Sequence, residues 1–210
     1  MRSGLMKTFY MWRRLAFCVA LGVVFGSVGT EAQTRGRAEG KSASVLRIHQ
    51  LTGYGPRSLM RSPDSSGNSR NRNVREWVEM AVQFDTDPEW VDEVTFTYFA
   101  LLKHRATGDY TLLKGVVTYV DVARGRAHQG VAYIRPNALA RLGDVVGVAV
   151  EAQVKGEVVS SFSEGKLGPN AKLPQEWWLN PKLAPKEGYI VEKSKTPFAL
   201  INFDDYEAAK

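Results

Sequence analysis

A strict alternation of apolar and polar residues is the feature of this chain that most limits its fold. Between Asp144 and Val154, an apolar side chain recurs at every second position from Val146 onwards. Side chains with this period lie on opposite faces of a β-strand, so the pattern predicts a half-buried strand. Lys155-Gly156 follows it, and a two-residue loop with glycine is typical of a hairpin that returns through Glu157–Ser163.

Other segments show the same strand pattern and are separated by turn signals. The predicted strands are Val45–Thr52, Val74–Asp85, Trp90–Lys103, Tyr110–Val122 and Gly130–Ile134. Turns are predicted at Asp85–Pro88, Ala106–Asp109 and Arg124-Gly125, and one helical turn at Ala138–Leu142. Trp90–Lys103 is apolar on both faces, which predicts a central strand covered on both sides. No helical pattern of the length that a βαβ unit needs is present, so the predicted fold class is an all-β antiparallel sandwich in a single domain.

The first 32 residues have the pattern of a secretory signal peptide. Basic residues precede the 14-residue apolar run Leu15–Val28, which is shorter than the roughly 20 residues that a spanning helix needs. Small residues at Thr30 and Ala32 predict cleavage between Ala32 and Gln33, which would leave no transmembrane segment. An uncleaved N-terminal anchor is the alternative. The predicted location is therefore the periplasm, the outer membrane or the cell surface.

Export changes what the charge and the cysteine content imply. The first 32 residues hold four of the 28 basic and one of the 22 acidic residues, so their removal lowers the formal net charge from +6 to +3. The remaining excess lies in Gly55–Asn73, where no aromatic residue is interleaved for base stacking, so no nucleic-acid partner is predicted. The single cysteine, Cys18, leaves with the signal, which excludes a disulfide framework or a thiolate metal site.

Polar and proline-containing stretches divide the rest of the chain. Residues 33–44 are predicted to be a flexible lead-in, and residues 45–210 the sandwich, with a long loop at 53–73. The extended segment 166–187 contains prolines and Trp177-Trp178, and it has too few apolar residues for a core of its own. We therefore expect it to lie across the sandwich. Tyr189–Val191 and Phe198–Phe203 are predicted to be closing strands.

The sequence contains no constellation that predicts a catalytic residue, a cofactor or a metal site. His49 and His104 fall in predicted strands and are interpreted as structural. Asp85 and Asp87 could hold an adventitious cation, although the EF-hand pattern fails beyond them. A hydrolase using the tail carboxylates is the weakest hypothesis, because a solvated tail supplies neither a cleft nor opposed pKa environments. Those carboxylates are Asp204, Asp205 and Glu207.

Two features could carry binding. Trp177 and Trp178, together with Trp90, could form an aromatic platform for a glycan or a protein partner, or the doublet could be buried against the sandwich. The run Phe198–Phe203 could be an edge strand that pairs with a neighbour, or the last strand of the domain's own sheet.

Several strand segments carry a resemblance to a known family. They are Glu76–Phe84, Asp87–Phe96, Tyr98–Leu102 and Pro174–Trp178. Over roughly Val45 to the C-terminus, the chain resembles the Akkermansia-type pilus-like proteins of Verrucomicrobia, which are exported and encoded beside type IV pilus-type genes. The resemblance implies an immunoglobulin-like β-sandwich similar to the head domains of archaeal type IV pilins, and it implies no catalytic residues. Unlike true pilins, this chain would lose its apolar helix with the signal peptide, which favours an accessory or surface-associated role.

The sequence thus predicts a non-enzymatic, exported structural or interaction protein of a pilus-like assembly. Its expected partners are further copies of itself or other pilus-like envelope proteins. A carbohydrate-binding module that uses exposed tryptophans is the alternative function.

Overall fold

Antiparallel strands make up most of the chain, as the alternating pattern predicts. The computed structural model describes residues 44–63, 75–168 and 171–210, which all belong to one unit, Lys41–Lys210. In those ranges the elements are β1 (Leu46–Leu51), β2 (Leu59–Arg61), β3 (Glu76–Lys103), β4 (Tyr110–Ile134), α1 (Pro136–Leu142), β5 (Asp144–Val154), β6 (Glu157–Gly168), β7 (Ala171–Lys172) and β8 (Ile190–Glu192). The predicted signal peptide, its cleavage site at Ala32 and Gln33, and most of the lead-in lie outside the described residues.

A single long hairpin, formed by β3 and β4, organises the sheet. The strands run in the order β7-β6-β5-β3-β4-β8, and β1 and β2 also pair with the first half of β3. The turns predicted at Asp85–Pro88 and Arg124-Gly125 are wrong, because β3 and β4 are continuous through both. The two positions face each other and form a bend, where the register skips from Thr86 opposite Gly125 to Trp90 opposite Ala123. Thr86 fixes the bend, since its hydroxyl donates to the Ala123 carbonyl (2.7 Å) and accepts from the Gly125 N–H (3.1 Å).

The bend folds the hairpin over, so that the same face of β3 lines the interior in both halves. Phe84 from the first half and Phe96 from the second have ring centroids 5.0 Å apart. One layer consists of β1 and the first half of β3, and it packs against a second layer formed by β5, β6 and the second half of β3. The buried residues of both layers form one interior cluster. In β1 a bulge between Ile48 and Gln50 moves Leu51 onto the inner face, where the regular alternation had not placed it. The predicted all-β antiparallel sandwich is confirmed.

The C-terminal third of the chain covers the outer faces of the sandwich. The outer face of the second half is covered by the tryptophan doublet and forms a second apolar cluster with Phe99, Leu101, Leu112 and Ala149. The outer face of the first half is covered by Phe198, whose ring stacks on Tyr133 at 5.1 Å. Because Phe99 and Leu101 are buried, the C-terminal part of β3 is covered on both sides, as its sequence predicts, whereas Trp90 at the start of the predicted strand is exposed.

The same segment also closes the outer edge of β4. Lys186 exchanges backbone hydrogen bonds with Leu112 and Lys114, β8 pairs with Ala132–Ile134, and the tail 207–210 bonds to Thr118, Val120 and Gln129. Phe198–Phe203 does not form the predicted closing strand. These residues form turns that end in a 3₁₀ turn, with Phe198 buried and Leu200 exposed. The hypothesis that this run offers an edge strand to a neighbour is therefore wrong.

Shorter elements follow local chemistry. The hairpin loop Lys155-Gly156 has φ values of 53° and 83°, and a type I′ turn requires positive φ at both of its central residues. Helix α1 begins with Pro136 at its first position and ends at Leu142, and Gly143 (φ 106°) caps it. The predicted long loop at 53–73 contains a 3₁₀ turn at Pro56–Ser58 and the short strand β2, and its remainder from residue 64 lies outside the described residues. No helix in the described ranges is both long and apolar enough to cross a membrane.

Tyr119 supplies a test of the packing at this hairpin. Its buried hydroxyl donates to the Val131 carbonyl (3.1 Å) and accepts from the Val131 N–H (2.6 Å), and burial raises the pKa of Tyr119 to about 12. Tyr119→Phe would leave both backbone groups of Val131 unsatisfied, so we expect the free energy of unfolding to fall by about 1–3 kcal/mol in urea titrations.

The matched control is Tyr98→Phe. The Tyr98 hydroxyl is also buried, but it makes no hydrogen bond in the described ranges, because the nearby Tyr119 hydroxyl is already bonded to Val131. Its removal should therefore leave the free energy of unfolding nearly unchanged or raise it. Equal losses from the two variants would show that the Tyr119 hydrogen bonds do not stabilise the hairpin.

Candidate functional site

The tryptophan doublet predicted as a binding platform is buried. Trp177 and Trp178 lie in a 3₁₀ turn and are 5% and 6% exposed. Their rings meet edge to face at 5.8 Å, and the Trp178 indole N–H donates to Glu151 Oε1 at 2.7 Å. Both indoles thus pack on the outer face of the sheet, and neither offers a flat surface to a ligand. Of the two alternatives that the sequence left open, the geometry favours burial.

Trp90 has the opposite environment. It is 61% exposed, more than any other aromatic side chain whose position is described. It lies just after the bend, where β3 resumes its pairing with β4 at Ala123. A groove of about 680 Å³ adjoins it, with walls from Val45 just before β1, from Pro88 and Val91, and from the Lys155-Gly156 hairpin loop. The sequence identified this residue but gave no reason to separate it from the doublet.

The groove beside Trp90 is acidic. Its lining includes three carboxylates, from Asp92, Glu93 and Glu157, and a single cation, from Lys155. Lys210 reaches Glu93 from the C-terminal tail (3.1 Å), so it neutralises one carboxylate at the margin. An exposed indole flanked by carboxylates favours a cationic ligand, because a cation is attracted both to the ring face and to the acidic groups. We refer to this surface as the Trp90 groove.

Two histidine–carboxylate pairs reinforce the bend beside the groove. His49 Nε2 lies 2.7 Å from Asp85 Oδ2, and the other oxygen of Asp85 accepts from the Ala127 N–H at 2.9 Å. On the other side, His128 Nδ1 lies 2.6 Å from Glu207 Oε1 and ties the C-terminal tail to the bend. These contacts occupy the Asp85 carboxylate, which the sequence had considered as a ligand for an adventitious cation.

Thr86, His128 and Glu207 follow the order of a hydrolase triad. His128 Nε2 lies 3.2 Å from the Thr86 hydroxyl, on the ring edge opposite Glu207. However, Thr86 donates its only hydroxyl proton to the Ala123 carbonyl and is only 5% exposed. A hydroxyl that is buried and already bonded in this way cannot be activated toward a substrate, so we assign the three residues to stabilising the bend. Sequence reasoning missed this cluster because Glu207 is 79 residues from His128.

The remaining predicted residues carry no further chemistry. Asp204 and Asp205 are exposed at the start of the tail, and only Glu207 of the three tail carboxylates has a histidine partner. His104 accepts from the Thr107 N–H and bonds its own hairpin loop, which fits a structural role. In the part of the chain that the structure describes, no group of three potential metal ligands comes together.

Comparisons with known proteins agree with this fold. A protein-family model matches residues 56–210, which is more than half of the chain. A crystal structure of a protein from Akkermansia muciniphila matches with a TM-score of 0.61 and 20% sequence identity, covering 79% of this chain and 93% of that chain. At this level of identity the structural match shows the fold alone. A search of curated proteins finds no match.

The contrast between the buried doublet and Trp90 can be tested directly. Trp178→Ala would remove a buried indole and its bond to Glu151, so we expect the free energy of unfolding to fall by about 3–5 kcal/mol. Trp90→Ala removes a mostly exposed ring, and its cost should stay within about 0.5–1 kcal/mol in the same urea titration. A large loss on Trp90→Ala would mean that this ring stabilises the fold rather than facing a partner.

The Asp85 cluster predicts a pH dependence of stability. The Ala127 N–H and His49 lower the pKa of Asp85, and the carboxylate is therefore easier to ionise in the folded state than in the unfolded chain. Its ionised form stabilises the fold above about pH 4, and that contribution is lost as the pH falls through the lowered pKa. Asp85→Asn should show a smaller fall in the urea midpoint than the unsubstituted protein between about pH 6 and pH 3.

Asp87→Asn is the control at the same bend, since its carboxylate makes no hydrogen bond or ion pair with the described residues. Its pH profile should match that of the unsubstituted protein. A profile of Asp85→Asn that also matches would exclude Asp85 as the titrating group.

Proposed function

Because the chain belongs to the Akkermansia-type pilus-like protein family, we propose that it is a non-enzymatic structural protein of an exported, pilus-like surface assembly. It would act through protein–protein contacts. The observation that carries this proposal is the family match over residues 56–210, and the exposed Trp90 at a groove of the described sandwich supports a role in protein contacts.

The closed surface supports a structural role. The C-terminal segment covers both outer faces and most of the outer edge of β4, so β4 is not offered for pairing with a neighbour. Covered edges are how β proteins avoid uncontrolled strand addition. Contacts between subunits would then be made by side chains on the surface, and the Trp90 groove is the concave surface with the largest exposed ring.

Absence of enzymatic activity is part of the proposal and rests on the use of each reactive group. The Thr86 hydroxyl is bonded to Ala123, and the carboxylates of Asp85 and Glu207 each pair with a histidine. These groups therefore stabilise the bend through contacts within the protein. Nothing in that arrangement provides an exposed nucleophile beside a base.

The alternative function, glycan binding, would now depend on Trp90 alone. Polar groups that could bond to sugar hydroxyls, from Asp92, Thr95 and Gln153, line the same groove. The burial of Trp177 and Trp178 removes the larger platform on which that hypothesis was based. Loss of retention on a glycan column by Trp90→Ala, with the fold intact, would favour this alternative over the assembly role.

The experiment for the proposed function is cell fractionation with surface labelling. Intact cells that express the full chain are treated with protease and with an antibody against residues 45–210, and the protein's N-terminus is sequenced. We expect labelling of intact cells, co-fractionation with other pilus-like envelope proteins, and an N-terminus at Gln33. Recovery from the cytoplasm would contradict the proposal. A soluble periplasmic protein without co-fractionating partners would contradict it as well.

A further inference from the structure

Charge is distributed unequally between the two ends of the sandwich. One end is formed by the bend and the Lys155-Gly156 hairpin loop, and it contains the Trp90 groove. The other end is formed by the β3–β4 loop, β2 and helix α1. Both β3 and β4 start at this other end, reach the bend at their middle and return. Residues that pair near Glu76 or Lys103 therefore lie far from Trp90, which is beside the bend. About nine residues of extended strand separate the ends, which is roughly 30 Å.

The end opposite the groove is rich in arginine. Six arginines are exposed there, namely Arg57, Arg61, Arg75, Arg105, Arg135 and Arg141. The described carboxylates at this end are Glu76, Asp109 and Asp144, with Glu79 and Glu164 lining a groove beside Arg57, and Asp144 is bonded to Arg105 through both of its oxygens. Positive charge is therefore in excess.

Apolar surface accompanies the arginines. Leu59 is 44% exposed between Arg57 and Arg61, and it lines a groove of about 520 Å³ together with Pro56 and Leu139. We call this surface the arginine end. It therefore carries two kinds of group that the Trp90 groove is suited to bind. Its guanidinium groups can contact the indole ring and the carboxylates of the groove, and its aliphatic side chain can contact the apolar wall.

We propose that the Trp90 groove of one copy binds the arginine end of a second copy of this chain. The contact joins two different surfaces at opposite ends of the same molecule. A contact of this heterologous kind does not close on itself unless its rotation generates a ring, so repeating it builds a filament or a head-to-tail row. This inference rests on the proposed function, because it supplies the contact by which copies would assemble.

Other charges near the groove set how strong this attraction can be. Arg47, Arg124 and Arg126 are exposed at the bend, outside the groove lining, and Lys155 lies within it. Arg124 donates to the Asp87 carbonyl, and Arg126 lies near Asp85, so both are directed toward the bend. The attraction is thus local to the groove. It should weaken as added salt shortens the screening length, which is about 10 Å at 0.1 M.

The test is a charge exchange between the two surfaces. The full-length chain is exported and purified, and self-association is measured by sedimentation velocity over a range of concentrations and salt. The groove variant is Asp92→Arg with Glu157→Arg, and the end variant is Arg57→Glu with Arg61→Glu. We expect each variant alone to weaken self-association at least tenfold, whereas an equimolar mixture of the two should restore a complex. Trp90→Ala should weaken association without changing the fold.

The control is Lys182→Glu, which reverses an exposed lysine of the C-terminal covering segment on the outer face of the sandwich. It should associate like the unsubstituted protein, and far-ultraviolet circular dichroism should show that every variant is folded. Undiminished association of the groove or end variant would overturn the proposal. So would failure of the folded mixture to restore the complex, or a monomeric unsubstituted protein at all concentrations. Surface labelling and co-fractionation together with any of these results would leave the proposed function standing and reject only this contact.

Discussion

The fold of this protein depends on one bend in a long hairpin. Twenty-eight residues of β3 cannot all face one compact core unless the strand folds over, and Thr86 holds that position by bonding to both Ala123 and Gly125 of β4. The paired aromatic residues Phe84 and Phe96, one on each side of the bend, meet only because of it. His128 adds the C-terminal tail to the same point through Glu207. The bend therefore determines how the sheet is layered, why Trp90 is exposed and where the C-terminal tail is anchored.

A folded-over sheet leaves two outer faces, and the C-terminal segment covers both. On one face Leu173 and the tryptophan doublet lie so close to β5 that a Cβ at Gly147 would collide with Leu173. On the other face Phe198 stacks on Tyr133. Burial of a large side chain stabilises a protein by about 1.5–3 kcal/mol, so three apolar clusters in a chain of this size are a substantial share of its stability. This explains why Trp177 and Trp178 are buried and stabilise the fold.

Local periodicity predicts the strands because it reports directly which side chains lie on each face. The alternation in Val146–Val154 and the double apolar face of Trp90–Lys103 both correspond to the observed strands. The same local signals fail at Asp85–Pro88 and Arg124-Gly125, since turn residues also suit a bulge whose partner strand bends with it. Long-range contacts decide what local signals cannot. Nearby sequence does not predict the hydrogen bond between Trp178 and Glu151. It also does not predict the contacts that join Thr86, His128 and Glu207.

The same closure determines how such a molecule can associate. With both faces covered and the β4 edge occupied, strand pairing at β4 and face-to-face stacking of the sheet are blocked, whereas among the described residues β6 pairs with β7 only at Lys166 and Gly168. The ends differ in charge, because β2, the β3–β4 loop and helix α1 bring arginines together while the Trp90 groove gathers carboxylates around an indole. A contact between two unlike ends is heterologous, so it repeats head to tail instead of joining one end to the same end of another copy. A sandwich that is covered on both outer faces and differs in charge between its two ends is therefore suited to the end-to-end contact that we propose.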